Sequence, residues 1–571
     1  MLQQSLDQSR ETVAKIAASC LAETITGHGQ EVPEALADAI ASGRGDRQDL
    51  LATTRRLFET DKPLDLVLFD TDRIASYVFE SSRPPVITGA STILRELNRQ
   101  IAEIQYERFV IFSGGGEGLL LVPAGRGQEI CQEIERLYAS KTENALSVTT
   151  SFLPVGPHDF VSSTEEKDAA GGVRLVSGTQ AVLSRLRDQV RREKDERGPA
   201  PEGVSGGSKR CVSCRDRAGG KRSIRDFRPD APDGPLCDPC FRRWDVGKKD
   251  INGMSFEELV EAAGPERAKS KYIGFLYADG NSMGALFGRL SSLAEVRFLS
   301  QAVRRVFEGL HSRVKDGVRE FAPGRQDRDL PFVSYLGGGD EAIWILPGAL
   351  AVHVAGRLSS WVEEESAAIA DLPRLLLDRT KSAQVTFGAG LVLCGYSYPV
   401  RYQFALAKEL QKSAKSMFYA GRGGPSASSI DFEVLTEGSP LSEKLETARA
   451  LTGRTDDPDF WRSCRPYTAE GFTLLLDRMH RLRDVKLATS QLYGLQDGTR
   501  EGKRVFLNFL RYQIARKPAG AKYQDWLWSF EVNPADPAAV ARFFIQEVAK
   551  GSGTWIADGL QLAPFLSWQE G

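Results

Sequence analysis

The sequence predicts an α+β protein in which one β-α-β-β-α-β unit occurs twice, with a cysteine-bearing insert between the copies and helical segments at both ends. Three observations predict this. Apolar runs of strand length alternate with amphipathic helical stretches in the same order twice, around 64–152 and 271–393. In each copy the two central strands are joined by a run of glycines, "SGGGEG" and "GGGDE". Between the copies, four of the eight cysteines form two Cys-x-x-Cys knuckles. The repeated order is the ferredoxin-like arrangement.

At 571 residues the chain is long enough for several domains. Its 41% hydrophobic and 26% charged residues are those of a globular protein, and Lys+Arg 74 against Asp+Glu 76 gives no global basic field, so any nucleic-acid contact must be local. No apolar run is long enough to span a bilayer, and the opening "MLQQSLDQSRETVAKIAASC" lacks the order of a signal peptide, so a cytoplasmic protein without membrane contact is expected.

Residues 1–60 read as a helical segment, with "PEALADAIASGRGDRQDLL" as helix, glycine break and helix. Residues 61–195 hold the first unit: strand "LDLVLFD", helix "ASTILRELNRQIAEI", strands "ERFVIF" and "LLLVPA", helix "GQEICQEIERLYAS" and strand "ALSVTTSF". Residues 196–250 carry Cys211 and Cys214, then Cys237 and Cys240 after a gap of 22 residues. Two residues between sulfurs let both thiolates of a knuckle face one ion, and two knuckles complete a closed tetrahedral site, so structural zinc is expected there. The flanking "GPAPEGVSGGSKR" and "RPDAPDGPL" are too poor in apolar residues to fold without such a staple. The remaining Cys20, Cys131, Cys394 and Cys464 read as small core residues.

Residues 251–440 repeat the unit, from "KYIGFLYAD" to "AQVTFGAGLVL", and residues 441–571 are helical and rich in aromatics. One late helix there carries Lys503, Arg504, Arg511, Arg516 and Lys517. That pattern suits a solvated face on a core helix, or a surface for RNA or protein.

The chemistry concentrates in the second copy. Each first strand ends on an acid, Asp70 or Asp279, but the first hairpin offers Glu117 alone whereas the second offers Asp340 and Glu341. In this topology the end of the first strand lies beside the central hairpin, so Asp279 is expected next to Asp340 and Glu341. Crowded carboxylates repel, and a divalent cation with a preference for oxygen, Mg²⁺ or Mn²⁺, relieves the repulsion while leaving positions for phosphate oxygens. Gly338 and Gly339 allow a tight turn beside a bulky ligand. Gly280, Asn281 and Ser282 open a helix with small residues, so its backbone N–H groups can approach a triphosphate.

These residues carry a resemblance. "YADGNSMG", "GGGDEAIWILPG" and "VTFGAGLVLCGYSYPVRYQFALAKELQKSAKSMFYAGRGG" resemble the catalytic palm of the large subunit of type III CRISPR effector complexes, the Cas-ten family, related to nucleotide cyclases of the Gly-Gly-Asp-Glu-Phe type. The first-unit stretch "DRIASYVFESSRPPVITGASTILREL", the knuckles, "RPYT" at 465–468 and the helical tail extend the likeness over most of the chain. The resemblance implies two palm domains, the second catalytic, and an enzyme that joins ATP molecules into cyclic oligoadenylates when its complex captures target RNA on a CRISPR RNA guide. It implies Asp279, Asp340 and Glu341 as metal ligands, Lys415 as a lysine reaching the triphosphate, and other CRISPR effector subunits as partners.

Two residues depart from the family pattern: Glu341 stands where a second hairpin aspartate is usual, and Asn281 where an aspartate often follows the first. Glu is longer by one methylene, which shifts metal spacing while keeping ligation. The His-Asp nuclease of many relatives is not expected, since the 60-residue head holds one histidine, His28. Two other readings use the same residues: a scaffold subunit without turnover, and a stand-alone cyclic-nucleotide synthase, which the duplicated unit and the insert disfavour.

Overall fold

The computed structural model describes residues 5–25, 31–161, 163–167, 173–197, 209–226, 234–251, 255–263, 271–324, 326–336, 339–380, 382–422, 424, 427–436, 445, 449, 455–487, 489–516, 519–548 and 551–566. Three helices come first, α1 (Leu6–Thr24), α2 (Glu34–Ser42) and α3 (Arg47–Leu57). Ser5 and Gln8 close α1 with a reciprocal capping box, and Asp46 caps α3. Buried Val13, Ile16 and Ala17 of α1 join the main core, where α1 packs across both repeats.

The first unit runs β1 (Leu64–Thr71), α4 (Ile74–Phe79), α5 (Pro84–Arg99), β2 (Val110–Gly114), β3 (Glu117–Pro123), α6 (Gly127–Thr142) and β4 (Val148–Val155). Its sheet order β2-β3-β1-β4 is the expected ferredoxin-like one. The helix α5 starts earlier than periodicity indicates, because Pro84 and Pro85 occupy its first turn, where no N–H is needed. After a short helix α7 (Pro157–Val161) come β5 (Ser163–Lys167) and β6 (Val173–Ser177), a hairpin not expected from the sequence, and then α8 (Gly178–Arg197).

The insert forms a two-strand pairing, β7 (Arg222–Ser223) with β8 (Pro235–Leu236), followed by α9 (Asp238–Ile251). Glycine sets its docking on the first unit. A Cβ at Gly89 of α5 would lie 1.7 Å from the Arg243 carbonyl, and one at Gly247 of α9 would lie 1.9 Å from the Pro85 carbonyl. The two helix backbones touch at this crossing. The helix α10 (Phe256–Glu261) leads into the second unit.

That unit holds β9 (Tyr272–Gly280), α11 (Met283–Phe287), α12 (Leu293–Phe321), β10 (Val333–Leu336), β11 (Glu341–Pro347), α13 (Gly348–Ala367), α14 (Leu372–Thr380), β12 (Phe387–Gly395) and α15 (Val400–Tyr419). The order β10-β11-β9-β12 repeats the first sheet, and β13 (Ser429–Val434) and β15 (Tyr467–Thr468) extend it to six strands. The two units exchange packing faces: α5 of the first lies on β10 of the second, and α12 of the second on β2 of the first. Arg297 of α12 donates to the carbonyls of Val110 and Ile111 at 2.8 and 2.9 Å. The hairpin tips meet, since a Cβ on Gly339 would sit 3.4 Å from the Gly115 Cα.

The last part is not wholly helical. β14 (Phe460–Trp461), β16 (Ile545–Val548) and β17 (Gly551–Thr554) form a small sheet among α16 (Ala469–Asp484), α17 (Thr489–Gly498), α18 (Lys503–Ala515), α19 (Ala519–Trp528), α20 (Pro537–Phe544) and α21 (Ile556–Leu562). The "RPYT" stretch joins this part to the second sheet. Arg465 pairs with Glu433 of β13 and Asp558 of α21, both at 3.0 Å, the Tyr467 hydroxyl donates to Asp558 at 2.6 Å, and Thr468 caps α16.

Candidate active site

Strand register builds the site. In the second unit Asp279 of β9 stands directly opposite Glu341 of β11, and the Gly280 N–H donates to the Asp340 carbonyl at 2.9 Å, which fixes the hairpin against the strand end. Asp279, Asp340 and Glu341 are therefore neighbours, as the topology requires. Their carboxylates do not all converge: among the described residues, Cys211, Cys214, Cys237 and Cys240 form the one group of three or more metal-ligating residues whose ligand atoms lie within 4.8 Å of one another. Like charges repel, and two of the acids take other partners. The Asp279 Oδ2 accepts from Lys415 Nζ at 2.7 Å and from Gln411 Nε2 at 2.9 Å, both on α15, while Tyr277 hydrogen-bonds Glu341.

Burial, then the charge of Asp279, pushes Asp340 up to about 7. Burial likewise raises Glu341, against the Tyr277 hydrogen bond. Carboxyls raised by burial and by one another mark a candidate site, and oxygen-only donors of this kind suit a hard divalent cation.

The strand-to-helix turn is engaged within the fold. The Asn281 N–H donates to the Thr386 carbonyl at 2.8 Å and its Nδ2 to Thr386 Oγ1 at 3.1 Å, which leaves Asn281 Oδ1 buried without a hydrogen-bond partner. The N–H groups of Gly280 and Asn281 are thus committed to the sheet, contrary to the expectation that they face a phosphate. Ser282 takes a left-handed φ of 53° ahead of the five-residue α11. Gly339 is at the hairpin tip as expected, and Gly338 lies outside the described residues.

Lys415 extends along the sheet rather than into solvent, and its Nζ also donates to the Gly280 carbonyl at 2.6 Å. Gly388 makes this path possible, since a Cβ there would come within 2.5 Å of Lys415 Cγ. Reading the sequence alone missed Gln411 and Lys408, the second of which adds positive charge near Glu341. Polar residues on an amphipathic helix look like a solvated face, and pairing α8 with α15 by eye would have exposed them.

The first unit keeps much of this arrangement. Asp70 opposes Glu117, and Asp72, Arg73 and Thr149 stand where Asn281, Ser282 and Gly388 stand in the second. On α8, Lys194 Nζ lies 2.7 Å from Asp70 and 3.1 Å from Asp72, and Arg187 lies 3.7 Å from Glu117. Position 116, matching Asp340, is glycine.

The cysteine cluster is the second candidate centre. All four sulfurs are buried and gathered, Cys214 Sγ lying 3.9 Å from Cys237 Sγ, a donor set that fits zinc. Arg243 braces it, donating to Cys240 Sγ at 3.1 Å, to the Tyr77 carbonyl at 2.5 Å and to Glu80, which also pairs with Arg217 at 2.6 Å.

The expectation of a chain without a His-Asp doublet is incorrect, since His158–Asp159 is one. His158 is 5% exposed, and burial holds its pKa below the usual histidine value, a core histidine in α7. On α18, Lys503, Arg504 and Arg511 are exposed, as is Arg516 just after it; Lys517 lies outside the described residues. An open cleft of about 1060 Å³ between α13 and α16 includes none of the three acids in its lining.

Two abutting palms around a carboxylate cluster define a tandem-palm protein. Residues 272–422 match the Cas10/Cmr2 second palm domain. The chain shares its fold with the Csm1–Csm4 cassette: in complex with AMPPNP, at 15% identity and a TM-score of 0.52 over 94% of this chain and 73% of that one; in complex with cA4, at 14% and 0.51 over 93% and 73%; and in the apo state, at 15% and 0.50 over 89% and 70%. No curated protein matches. Within this shared fold, the segment that carries the three acids is the one that matches that palm domain. No described helix is long and apolar enough to cross a membrane.

Proposed function

We propose that the second palm joins ATP molecules into cyclic oligoadenylate or a related adenylate messenger, within an RNA-guided type III effector complex serving antiviral defence. The observation that carries this reading is the register that sets Asp279 opposite Glu341 with Asp340 beside them, inside the segment that matches the second palm domain. The reading divides the chain into the head (1–60), first palm (61–195), zinc ribbon (196–250), catalytic palm (251–440) and C-terminal domain (441–571).

Asp279, Asp340 and Glu341 would hold Mg²⁺ or Mn²⁺, which when bound supplies activation of the attacking 3′-hydroxyl and neutralisation of the departing pyrophosphate. The chain's own residues position and neutralise. Lys415 offers a cation to the triphosphate, Gly339 and the Gly280–Ser282 turn leave room for the nucleotide, and the facing first palm closes the site. CRISPR RNA, target RNA and other effector subunits are the partners of this reading, supported by the likeness to a large subunit crystallised with Csm4.

The test is mass spectrometry of products formed from ATP with Mg²⁺ or Mn²⁺, with and without target RNA. Phosphodiester-linked adenylates that disappear in Asp340→Ala/Glu341→Ala are the expected result. Absence of product under every condition would make the chain a scaffold.

A further inference from the structure

Lys415 sits in an unusual place for a residue that serves a nucleotide. Its ammonium does not project into the space above the hairpin; it is 2.7 Å from Asp279 Oδ2 and 2.6 Å from the Gly280 carbonyl, with its side chain 16% exposed. These are hard oxygens of the type a divalent cation takes as ligands. The Lys415 stem reaches them across Gly388, where any side chain would collide with it. The first palm repeats the device independently, with Lys194 between Asp70 and Asp72.

We propose that Lys415 is the resident counter-cation of Asp279 in the second palm, and that a nucleoside triphosphate opens the site by drawing its ammonium off Asp279, so that divalent-cation binding at Asp279 depends on nucleotide. This rests on the reading of the second palm as a nucleotide site, and adds an order of binding to it.

The physical argument is one of exclusion. An ammonium and a divalent cation cannot both contact one carboxylate oxygen without strong repulsion in a site shielded from water. Asp279 turns toward α15, where Gln411 steadies the oxygen that Lys415 contacts, which eases its repulsion with the other two acids. A free cation must therefore displace Lys415 into solvent, whereas the phosphates of a nucleotide give the ammonium another anionic partner and bring the cation with them. Lys194 is held by two aspartates at once, with no acid at position 116 to complete a site, so no such release is expected in the first palm.

The test is Mn²⁺ titration of the full chain, read by the loss of the free-ion paramagnetic resonance signal, without nucleotide and with AMPPNP. The wild-type protein is expected to bind Mn²⁺ about tenfold more tightly with AMPPNP, the effect of one partly buried ion pair. Lys415→Met is expected to bind Mn²⁺ without nucleotide about tenfold more tightly than wild type, and adding Asp279→Asn should abolish that gain. Unchanged or weaker binding by a folded Lys415→Met protein would overturn the proposal, as would nucleotide-independent binding by the wild type. Turnover is read separately: a chain that shows this Mn²⁺ behaviour yet forms no adenylate product would retire the synthase reading alone.

Discussion

The two palms share a topology, a pairing of strand-end acid with hairpin acid, and a lysine from the last helix, yet they differ in what surrounds those groups. In the first, two cations reach three acids: Lys194 pairs with both Asp70 and Asp72, and Arg187 with Glu117. Thr149 adds its hydroxyl to Asp72 at 3.0 Å. In the second, Lys415 pairs with Asp279, Lys408 adds charge near Glu341, and Asp340 is driven up to about 7 by burial and by Asp279. The difference teaches that the same backbone and register can surround strand-end acids with different partners. On the proposed reading, pairing the carboxylates with cations and having glycine at position 116 would leave the first palm a supporting partner of the second.

The largest expected effect tests that contrast directly. Asp279→Ala should lower adenylate formation by at least about a hundredfold, the scale for removing a preorganised electrostatic group, while Asp70→Ala stays within about threefold of wild type. Equal losses from both, measured as initial rates of product formation, would break the comparison.

Next comes the ribbon, which is docked on the first palm. Cys211→Ser with Cys214→Ser should remove about one zinc per chain by elemental analysis and expose the α5–α9 contact to hydrogen exchange, because binding of structural zinc contributes on the order of 10 kcal/mol to folding. The palm sheets should stay protected.

A smaller effect separates the palms by their attachments. Arg465→Ala leaves Asp558 and Glu433 without their shared cation, and Asp558 is 1% exposed. Destabilisation of about 3–5 kcal/mol is expected in denaturant titration, felt by the second palm and the C-terminal part together.

The mildest prediction concerns pH. Burial holds His311 of α12 and His353 of α13 down at about 4 from an ordinary 6.5, so both are neutral in the fold and take up protons on unfolding. Their contribution to stability is present above pH 6.5 and is lost as pH falls toward 4. Melting followed between these values should show the loss, and His311→Gln should reduce its slope.

Much of the fold was readable because the repeat has strong punctuation: strands of nearly pure apolar residues such as "LDLVLFD" and "AIWILP" are separated by glycine runs. The acids were found for the same reason, since strand order alone places Asp279 against the hairpin. The cysteine knuckles needed only spacing. What escaped notice depends on long-range contacts. Tyr467–Thr468 pairs with β13 through only two residues, too few for any periodicity, and the sheet of β14, β16 and β17 has no strand longer than four. Lys194, Arg187, Lys408 and Gln411 look like surface residues until the helices bearing them are laid on a sheet. His158 of the overlooked His-Asp doublet is part of the core.

The crossed packing of the palms, α5 on β10 and α12 on β2 with hairpin tips in contact, has a kinetic consequence. A single palm that must meet a second copy works only as fast as collisions and dilution allow. Here the facing half is carried on the same chain, at a fixed effective concentration set by the linking segments. The rate per chain should therefore be independent of protein concentration, and the two halves, never needing to be identical, were free to specialise.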